Sequence, residues 1–205
     1  MVNQSNLLDR RPKRQGPRVV LGDTLALARA RVHEVCGPAK ATLALAFAGC
    51  STGAVLWIRP AWQTEALHPT GIAPWCDPTR ILTLQAGQTR DILWAMEEAL
   101  GSGAVAAVVA EVNEIPELTP VRRLHLAAER GALKTPEPPY GILLTPGLGG
   151  APGVESRWYM APVFAENGPA WHIERLRARM APLAAWTMTR STDSPTFQPT
   201  APRVA

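Results

Sequence analysis

One short loop of the sequence contains the residue types that bind phosphate groups. Segment 37–42 (GPAKAT) supplies Gly37, Lys40 and Thr42 between a predicted strand and a predicted helix. A phosphate-binding loop reads G-x-x-x-x-G-K-[ST], because spaced glycines let the backbone wrap the phosphates while lysine and hydroxyl complete the site. Here the second glycine is absent, and two residues separate Gly37 from Lys40, too few to arch over a triphosphate. We therefore interpret the segment as a degenerate nucleotide loop and expect no cofactor.

Other residues that could catalyse a reaction or bind a metal are scattered along the chain. Ser51, Thr52 and Ser102 have no neighbouring histidine in the sequence that would activate a hydroxyl. The four histidines and three cysteines lack the spacing of metal ligands. We predict no catalytic residue and no metal site. An odd cysteine count, without a signal peptide or a long apolar run, favours reduced thiols, a cytoplasmic location and no membrane contact.

Charged residues are segregated along the chain, although the net charge is only +4. Residues 1–31 carry seven basic against two acidic side chains, residues 35–115 four against seven, and residues 118–190 nine against five. The basic ends are explained either by solvation or by contact with phosphate or an acidic partner. The basic and aromatic candidates for such contact are Arg10, Arg11, Lys13, Arg14, Arg122, Arg123, Arg157, Trp158, Trp171, Arg175, Arg177 and Arg179.

The elements that must position these residues alternate between strand and helix. Asp23 is predicted to cap a helix over 24–30, and Thr119 to cap one over 120–130; further helices are expected at 39–49 and 89–100. Apolar runs without two-residue alternation favour a largely parallel sheet. Strands are predicted at 31–36, 54–58, 80–84, 105–110, 140–145, 157–163, 171–177 and 183–189. Because the last three follow one another without helices, the fold class is α/β, with antiparallel strands at the C-terminal edge of the sheet.

We expect one α/β domain over residues 22–190, with a segment of different character on each side. Residues 1–21 read as a flexible basic N-terminal arm, and residues 191–205 as a disordered C-terminal tail rich in Ser, Thr and Pro. Trp57 and Trp94 fall at core-facing positions and are expected to pack inside. The loop 146–153 contains too much glycine to be rigid.

Several segments, taken in order, resemble the core elements of the RecA recombinase fold and, more closely, the ImuA family. ImuA proteins are shortened RecA relatives of bacterial SOS mutagenesis and are also related to the SulA cell-division inhibitors. The likeness covers about residues 22–190. Its segments are VCGP at 35–38, AVLWI at 54–58, DPTRILTL at 77–84, LWAMEEAL at 93–100, SGAVAAVVAE at 102–111, RRLHLAAE at 122–129, RW at 157–158 and WHIERLR at 171–177.

The resemblance implies a RecA-like core whose nucleotide site has degenerated. Lys40 and Thr42 match the phosphate loop only if that loop is shortened. The carboxylate that would lead to a catalytic glutamate is replaced by Arg59, and the Mg²⁺-supporting aspartate is matched by Glu111. Loss of a positioned general base costs orders of magnitude in rate. By this comparison the protein is not an enzyme.

The function implied by the resemblance is that of an accessory protein in SOS-induced, error-prone translesion DNA synthesis. The implied partners are an ImuB-type polymerase relative and an error-prone replicative-type polymerase; RecA and a weak DNA contact are further candidates. Loop 112–118 is acidic and loop 146–155 has no basic residue, which argues against filament-like DNA binding. The alternatives are a RecA-type ATPase with a shortened loop, using Lys40, Thr42 and Glu111, and a SulA-like cell-division inhibitor.

Overall fold

A computed structural model describes residues 16–165, 168–190 and 195–200 of the chain. Four basic residues predicted to contact a partner, Arg10, Arg11, Lys13 and Arg14, lie outside the described residues. The helices are α1 Lys40–Gly49, α2 Pro69–Ile72, α3 Thr89–Ser102 and α4 Leu118–Ala132. The strands are β1 Arg18–Leu21, β2 Leu25–Ala28, β3 Val32–Cys36, β4 Val55–Pro60, β5 Ile81–Ala86, β6 Ala107–Glu111, β7 Tyr140–Leu144, β8 Ser156–Val163, β9 Ala170–Ala178, β10 Ala184–Arg190 and β11 Pro195–Thr200.

Nine of the described strands form one sheet in the order β11-β10-β9-β8-β3-β7-β6-β4-β5. The strands from β8 to β5 in this order pair in parallel, whereas β8, β9, β10 and β11 form an antiparallel meander. Strands β1 and β2 form a separate antiparallel hairpin. The predicted α/β class, with a mostly parallel sheet and antiparallel strands at the C-terminal end, is confirmed.

Helices cover both faces of the parallel strands, and each face has its own apolar core. On one face, α1 and the β1–β2 hairpin pack against the sheet around Trp57, Trp158 and Ile173. On the other, α3 and α4 pack against the sheet around Ile58, Met96 and Leu143. The central strands are apolar throughout because both faces are buried; in β7 every residue is buried. Below, these are called the hairpin face and the α3–α4 face of the sheet.

The hairpin β1–β2 differs from the sequence prediction. Residues 24–30 were expected to form a helix capped by Asp23, but a short 3₁₀ turn at Gly22–Thr24 leads into strand β2. Leu25 and Leu27 are fully buried while the alanines between them are half-buried, so the burial alternates with the two-residue period of a strand. Strand pairing with β1 outweighs the helix propensity of leucine and alanine.

Both predicted end segments contain a described strand. Strand β1 lies within residues 1–21, and β11 lies within residues 191–205, where it pairs with β10 at one edge of the sheet. Apolar contacts explain why these two strands form: Val19 and Leu21 of β1 are buried, and Phe197 of β11 packs against the same core. The domain boundaries at 21 and 190 stay predictions.

Two features of the helices also differ from expectation. Helix α4 begins at Leu118 with Glu117 as the N-cap residue, two residues earlier than a cap at Thr119 would place it. Trp94, expected in the core, has 61% of its surface exposed on α3, because the described chain places no element over that side of the helix. No helix in the described part of the chain is both long and apolar enough to cross a membrane.

Candidate functional site

The loop between β3 and α1 is closed by strand β8 and not open to a ligand. The amide of Ala39 donates to the carbonyl oxygen of Met160 at 3.0 Å, and the amide of Lys40 donates to the Gly37 carbonyl at 3.2 Å. A Cβ atom on Gly37, whose φ is +91°, would lie 2.5 Å from the Met160 oxygen. In a phosphate-binding loop such amides point at the anion. Here the Ala39 amide donates to the Met160 carbonyl and the Lys40 amide closes a tight turn, so neither amide is free for an anion.

Lys40 and Glu111 lie on the same cavity, but both are engaged by neighbouring groups. The Lys40 ammonium donates to the Thr145 carbonyl at 3.0 Å, and burial lowers its pKa against the opposing influence of Glu111. The Glu111 carboxylate accepts a hydrogen bond from the Trp57 indole and lies 3.7 Å from the Arg59 guanidinium. The cavity has a volume of about 390 Å³. Its lining does not include Gly37 or Thr42.

Arg59 is the least satisfied charged side chain near this cavity. Its side chain is only 7% exposed, and its Nε atom is buried without a hydrogen-bond partner in the described residues. Because β4 and β6 are neighbours, the guanidinium faces Glu111 across the two strand ends. The position that the family resemblance assigns to a carboxylate thus holds a cation paired with the remaining acid.

The aromatic and basic residues of the meander form a packed ladder on the hairpin face. The Arg175 guanidinium lies over the rings of Trp158 and Trp186, with 5.4 and 5.2 Å to their centroids. Trp158 is only 1% exposed and packs against Phe47, so the expectation that it offers an exposed ring to a partner is wrong. Strand β8 lies inside the sheet, and Phe47 of α1, Trp186 and Arg175 pack against that ring. What remains accessible is the cation above it.

A second aromatic contact lies further along the same face. Trp171 is half-buried and meets Trp75 edge-on at 5.2 Å between ring centroids, and the Arg190 guanidinium lies 4.9 Å above Trp75. The two rings therefore support each other and have little free face for stacking on a base.

Two basic residues of the predicted set, Arg175 and Arg179, line one cleft. The cleft has a volume of about 170 Å³, lies between the hairpin and β9, and is also lined by Arg18. Arg177 is exposed near the end of β9 but pairs with Arg157 in the sheet register and does not line the cleft. Glu155 also lines it, 3.8 Å from Arg179. This leaves a net positive cleft, which suits an anionic group. We call it the basic cleft, defined by Arg18, Arg175 and Arg179.

Arg157 does not belong to that cleft. Its guanidinium pairs with the fully buried carboxylate of Glu34 and also donates to the Ala151 carbonyl at 3.1 Å. The same carboxylate accepts hydrogen bonds from the Thr145 hydroxyl at 2.7 Å and from the amides of Gly150 and Ala151 at 2.8 and 3.1 Å. The glycine-rich loop 146–153, expected to lack rigidity, is therefore anchored by a buried carboxylate.

Arg122 and Arg123 are separated from the basic cleft by the sheet. Both are exposed on α4, which lies on the α3–α4 face. Arg123 donates to Glu97 of α3 at 2.9 Å. The predicted contact residues thus divide between two opposite surfaces and do not form one basic patch.

A buried histidine–serine pair, His33 and Ser156, is not indicated by any pattern in the sequence. His33 Nε2 donates to the Ala28 carbonyl at 2.9 Å, so its Nδ1 accepts from the Ser156 hydroxyl at 2.6 Å, and Ser156 accepts from the Trp158 indole at 2.7 Å. Burial lowers the pKa of His33 to about 4, which keeps the ring neutral. The two residues are 123 positions apart, so no local spacing could indicate the pair. All three polar side chains are buried, and the chain of hydrogen bonds joins the hairpin to β3 and β8.

Metal coordination finds no support in the residues that the structure describes. Within those ranges no three His, Cys, Asp or Glu side chains lie close enough together to hold an ion. Cys36 and Cys76 are buried, and burial raises the pKa of the Cys50 and Cys76 thiols, which disfavours the thiolate that metals bind.

The chain is similar to curated bacterial proteins. It is 32% identical over 151 residues to a protein named Protein ImuA from Caulobacter vibrioides, in strains NA1000 / CB15N and ATCC 19089 / CB 15. The alignment covers 66% of this chain and 60% of that protein. The chain therefore spans less than two thirds of the length of the curated relatives it matches. No protein-family model matches the chain.

Proposed function

We propose a function from one premise: the chain belongs to the ImuA family, as its resemblance predicted and its similarity to Protein ImuA confirms. The proposed role is that of a non-catalytic accessory protein in SOS-induced, error-prone translesion DNA synthesis. It acts in the cytoplasm, by contact with an ImuB-type polymerase relative and an error-prone replicative-type polymerase. Since the alignment covers 60% of the relative, activity and partners are both part of the proposal.

The observation that carries the non-catalytic part is the closed loop before α1. The amide of Ala39 is taken by the Met160 carbonyl, and a strand of the sheet stands where a nucleotide phosphate would need room. The pairing of Arg59 with Glu111 adds to this, because that carboxylate is already engaged by the Arg59 guanidinium and the Trp57 indole. Both support a protein that acts through its surfaces.

The basic cleft supports a contact with phosphate or an acidic partner surface. Arg18 and Arg179 are exposed, and Arg175 is held by two indole rings and by a hydrogen bond from its Nε to the Pro182 carbonyl at 2.7 Å. A guanidinium held in this way loses little side-chain entropy when it binds. We assign this cleft to an acidic region of a polymerase partner, RecA or DNA.

Two measurements on the full chain test the proposal. Purified protein should show no ATP hydrolysis, with or without single-stranded DNA. ATP turnover that disappears in Lys40→Ala would overturn the non-catalytic role. Co-purification with each polymerase partner should be retained by Arg130→Glu, a change at an exposed arginine of α4 outside the cavities described, and reduced by Arg18→Glu with Arg179→Glu. Absence of any complex with either partner would overturn the accessory role.

A second candidate, nucleotide binding, has one observation in its favour. Lys40 and Glu111 share a cavity of about 390 Å³, within the usual range for a small-molecule site. Mg-ATP at a hundred times its Kd would then stabilise the fold by about 2.7 kcal/mol. A rise in melting temperature that Lys40→Ala removes would support this candidate, whereas no shift up to millimolar Mg-ATP would exclude it.

A further inference from the structure

A groove runs between the first turns of α3 and α4 on the α3–α4 face. Both helices follow parallel strands, so both begin beyond the carboxyl ends of those strands, the edge at which α/β proteins bind their ligands. Residues 114–117, from the segment that joins β6 to α4, line the groove together with α3. The groove has a volume of about 590 Å³ and is open to solvent. We call it the α3–α4 groove, defined by Leu93, Trp94, Glu97, Glu114, Ile115, Glu117 and Arg123.

Its walls expose apolar side chains that the protein's own core does not use. Trp94 is 61% exposed and Ile115 is 44% exposed, and Leu93 is half-buried beside them. Tryptophan is the residue type most enriched at the energetic centres of protein interfaces, because it buries a large area with few rotatable bonds. Exposed apolar surface lined by polar groups marks interaction sites.

The charges around the groove are predominantly acidic. Asp91 and Glu97 are compensated by Arg90 at 3.7 Å and by Arg123 at 2.9 Å, respectively. Glu114 and Glu117 form no ion pair or side-chain hydrogen bond with the residues that the structure describes. Glu117 is the N-cap residue of α4 but makes no capping bond, and Glu114 lies outside the helix, so neither carboxylate is neutralised by a cation of the described residues.

We propose that the α3–α4 groove binds a basic segment of a partner protein, with an apolar side chain against Trp94 and Ile115 and Lys or Arg side chains against Glu114 and Glu117. The argument is charge complementarity around an apolar centre. The inference rests on the proposed function, because it names the surface through which an accessory protein holds one of its partners.

The same charges exclude nucleic acid as the occupant. A DNA strand would bring phosphates towards two carboxylates that have no compensating cation, and affinity for nucleic acid depends on neutralising phosphates. The basic cleft lies across the sheet on the hairpin face. The two surfaces therefore select ligands of opposite charge, and one chain can hold a basic protein segment and an acidic ligand at once.

The test uses the full chain and two pairs of matched variants. Trp94→Ala removes the apolar contact, and Trp62→Ala is its control, because Trp62 is 63% exposed outside the groove. Glu114→Lys with Glu117→Gln removes the acidic charge, and Glu98→Lys is its control on the exposed side of α3. All variants are compared by circular dichroism and thermal unfolding before binding is measured.

Two probes separate this inference from the proposed function. The first is the purified ImuB-type polymerase relative, and the second is a set of overlapping 15-residue peptides that covers its sequence, measured by fluorescence anisotropy. We expect a basic peptide to bind, and both groove variants to weaken peptide and protein binding at least tenfold, as for residues at the centre of an interface, while both controls bind like the parent chain.

Each outcome decides between the two proposals. Partner binding that the groove variants do not weaken overturns the groove and leaves the accessory role standing. Peptide binding lost in the groove variants, with no binding of the intact partner, supports the groove and contradicts the assigned partner. Binding of neither probe overturns both. Binding of single-stranded DNA that Glu114→Lys weakens would also overturn the groove as a protein site.

Discussion

Glu34 and Arg157 stand opposite each other on the neighbouring parallel strands β3 and β8, and their side chains form an ion pair. The Glu34 carboxylate is fully buried and the Arg157 side chain is 18% exposed. The pair therefore joins the last strand of the parallel region to the rest of the sheet and holds the loop 146–153 over the strand ends. A buried carboxylate that accepts amide hydrogen bonds takes the role that a bound anion has in other glycine-rich loops.

Replacing one member of this pair should strongly destabilise the fold. We expect Glu34→Gln to lower the free energy of unfolding by about 3 kcal/mol, because it leaves the Arg157 cation without its partner. Urea denaturation measures the change. In a double-mutant cycle with Arg157→Gln, the coupling should exceed about 1 kcal/mol. If the two single effects simply add, the pair does not stabilise the fold as a unit.

The loop above the pair should tolerate a side chain at one glycine better than at another. Gly147 and Gly149 both have positive φ values, +58° and +72°, so alanine costs about 1 kcal/mol at either position. At Gly149 the added Cβ would lie 2.6 Å from the Glu34 carboxylate, whereas at Gly147 it meets nothing within 4 Å. Gly149→Ala should therefore lower the melting temperature clearly more than Gly147→Ala. Equal shifts would show that the loop is not held against Glu34.

Stability should fall on mild acidification, and His33 should account for much of the change. The pKa of His33 is about 4 in the folded chain against an ordinary value of 6.5, so between these values the unfolded chain binds the proton and the folded chain does not. The free energy of unfolding should be at its full value above pH 6.5 and should decrease by up to about 3 kcal/mol towards pH 4. Burial also lowers the pKa of His125, which acts in the same direction.

The His33 contribution can be isolated by substitution. His33→Gln should have a shallower dependence of the unfolding free energy on pH between 6.5 and 4, measured by urea denaturation. His68→Gln is the control, because His68 is exposed on the surface. A dependence in His33→Gln as steep as in the parent chain would contradict the assignment.

A contact between the basic cleft and single-stranded DNA should depend on salt. The affinity should fall between about 50 and 200 mM salt, with a slope that decreases by about 0.7 for each phosphate contact removed. Arg18→Ala and Arg179→Ala should each reduce the slope, whereas Arg90→Ala, on the opposite face, should not. Affinity that is independent of salt, or no binding at 50 mM, would remove DNA from the ligands of this cleft.

The central strands and the longer helices could be predicted from the sequence because their signals are local. Continuous apolar runs predicted β4, β6 and β7 within a few residues of their observed bounds, and helical spacing predicted α3. The hairpin was missed because leucine and alanine favour a helix, although Leu25 and Leu27 follow the two-residue period of a strand. The burial of these side chains distinguishes a strand from a helix, and that burial exists only in the folded chain.

The candidate site was harder to predict because its contacts join distant parts of the chain. Nothing near Arg157 indicates that its charge is neutralised by Glu34, 123 positions away. The sequence predicts Trp158 as an edge residue, whereas in the fold Phe47 of α1 and Trp186 of β10 pack against it. Helical spacing predicts Trp94 as a core residue, whereas the described fold leaves that side of α3 uncovered. In each case the sequence pattern predicts the face of the helix or strand on which a residue lies. The solvent exposure of its side chain depends on which other element packs against that face.

Strand β11 has a consequence for how copies of this protein meet. The strand carries Pro195 and Pro199. Because these residues are four positions apart, their backbone nitrogens lie on the same edge of the strand. Proline has no N–H to donate, and a strand that keeps its ladder with β10 places such positions outward. A strand that approached this edge would find two backbone N–H donors of β11 missing. The sheet therefore resists polymerisation by strand addition at β11, which protects the described edge of the sheet against aggregation.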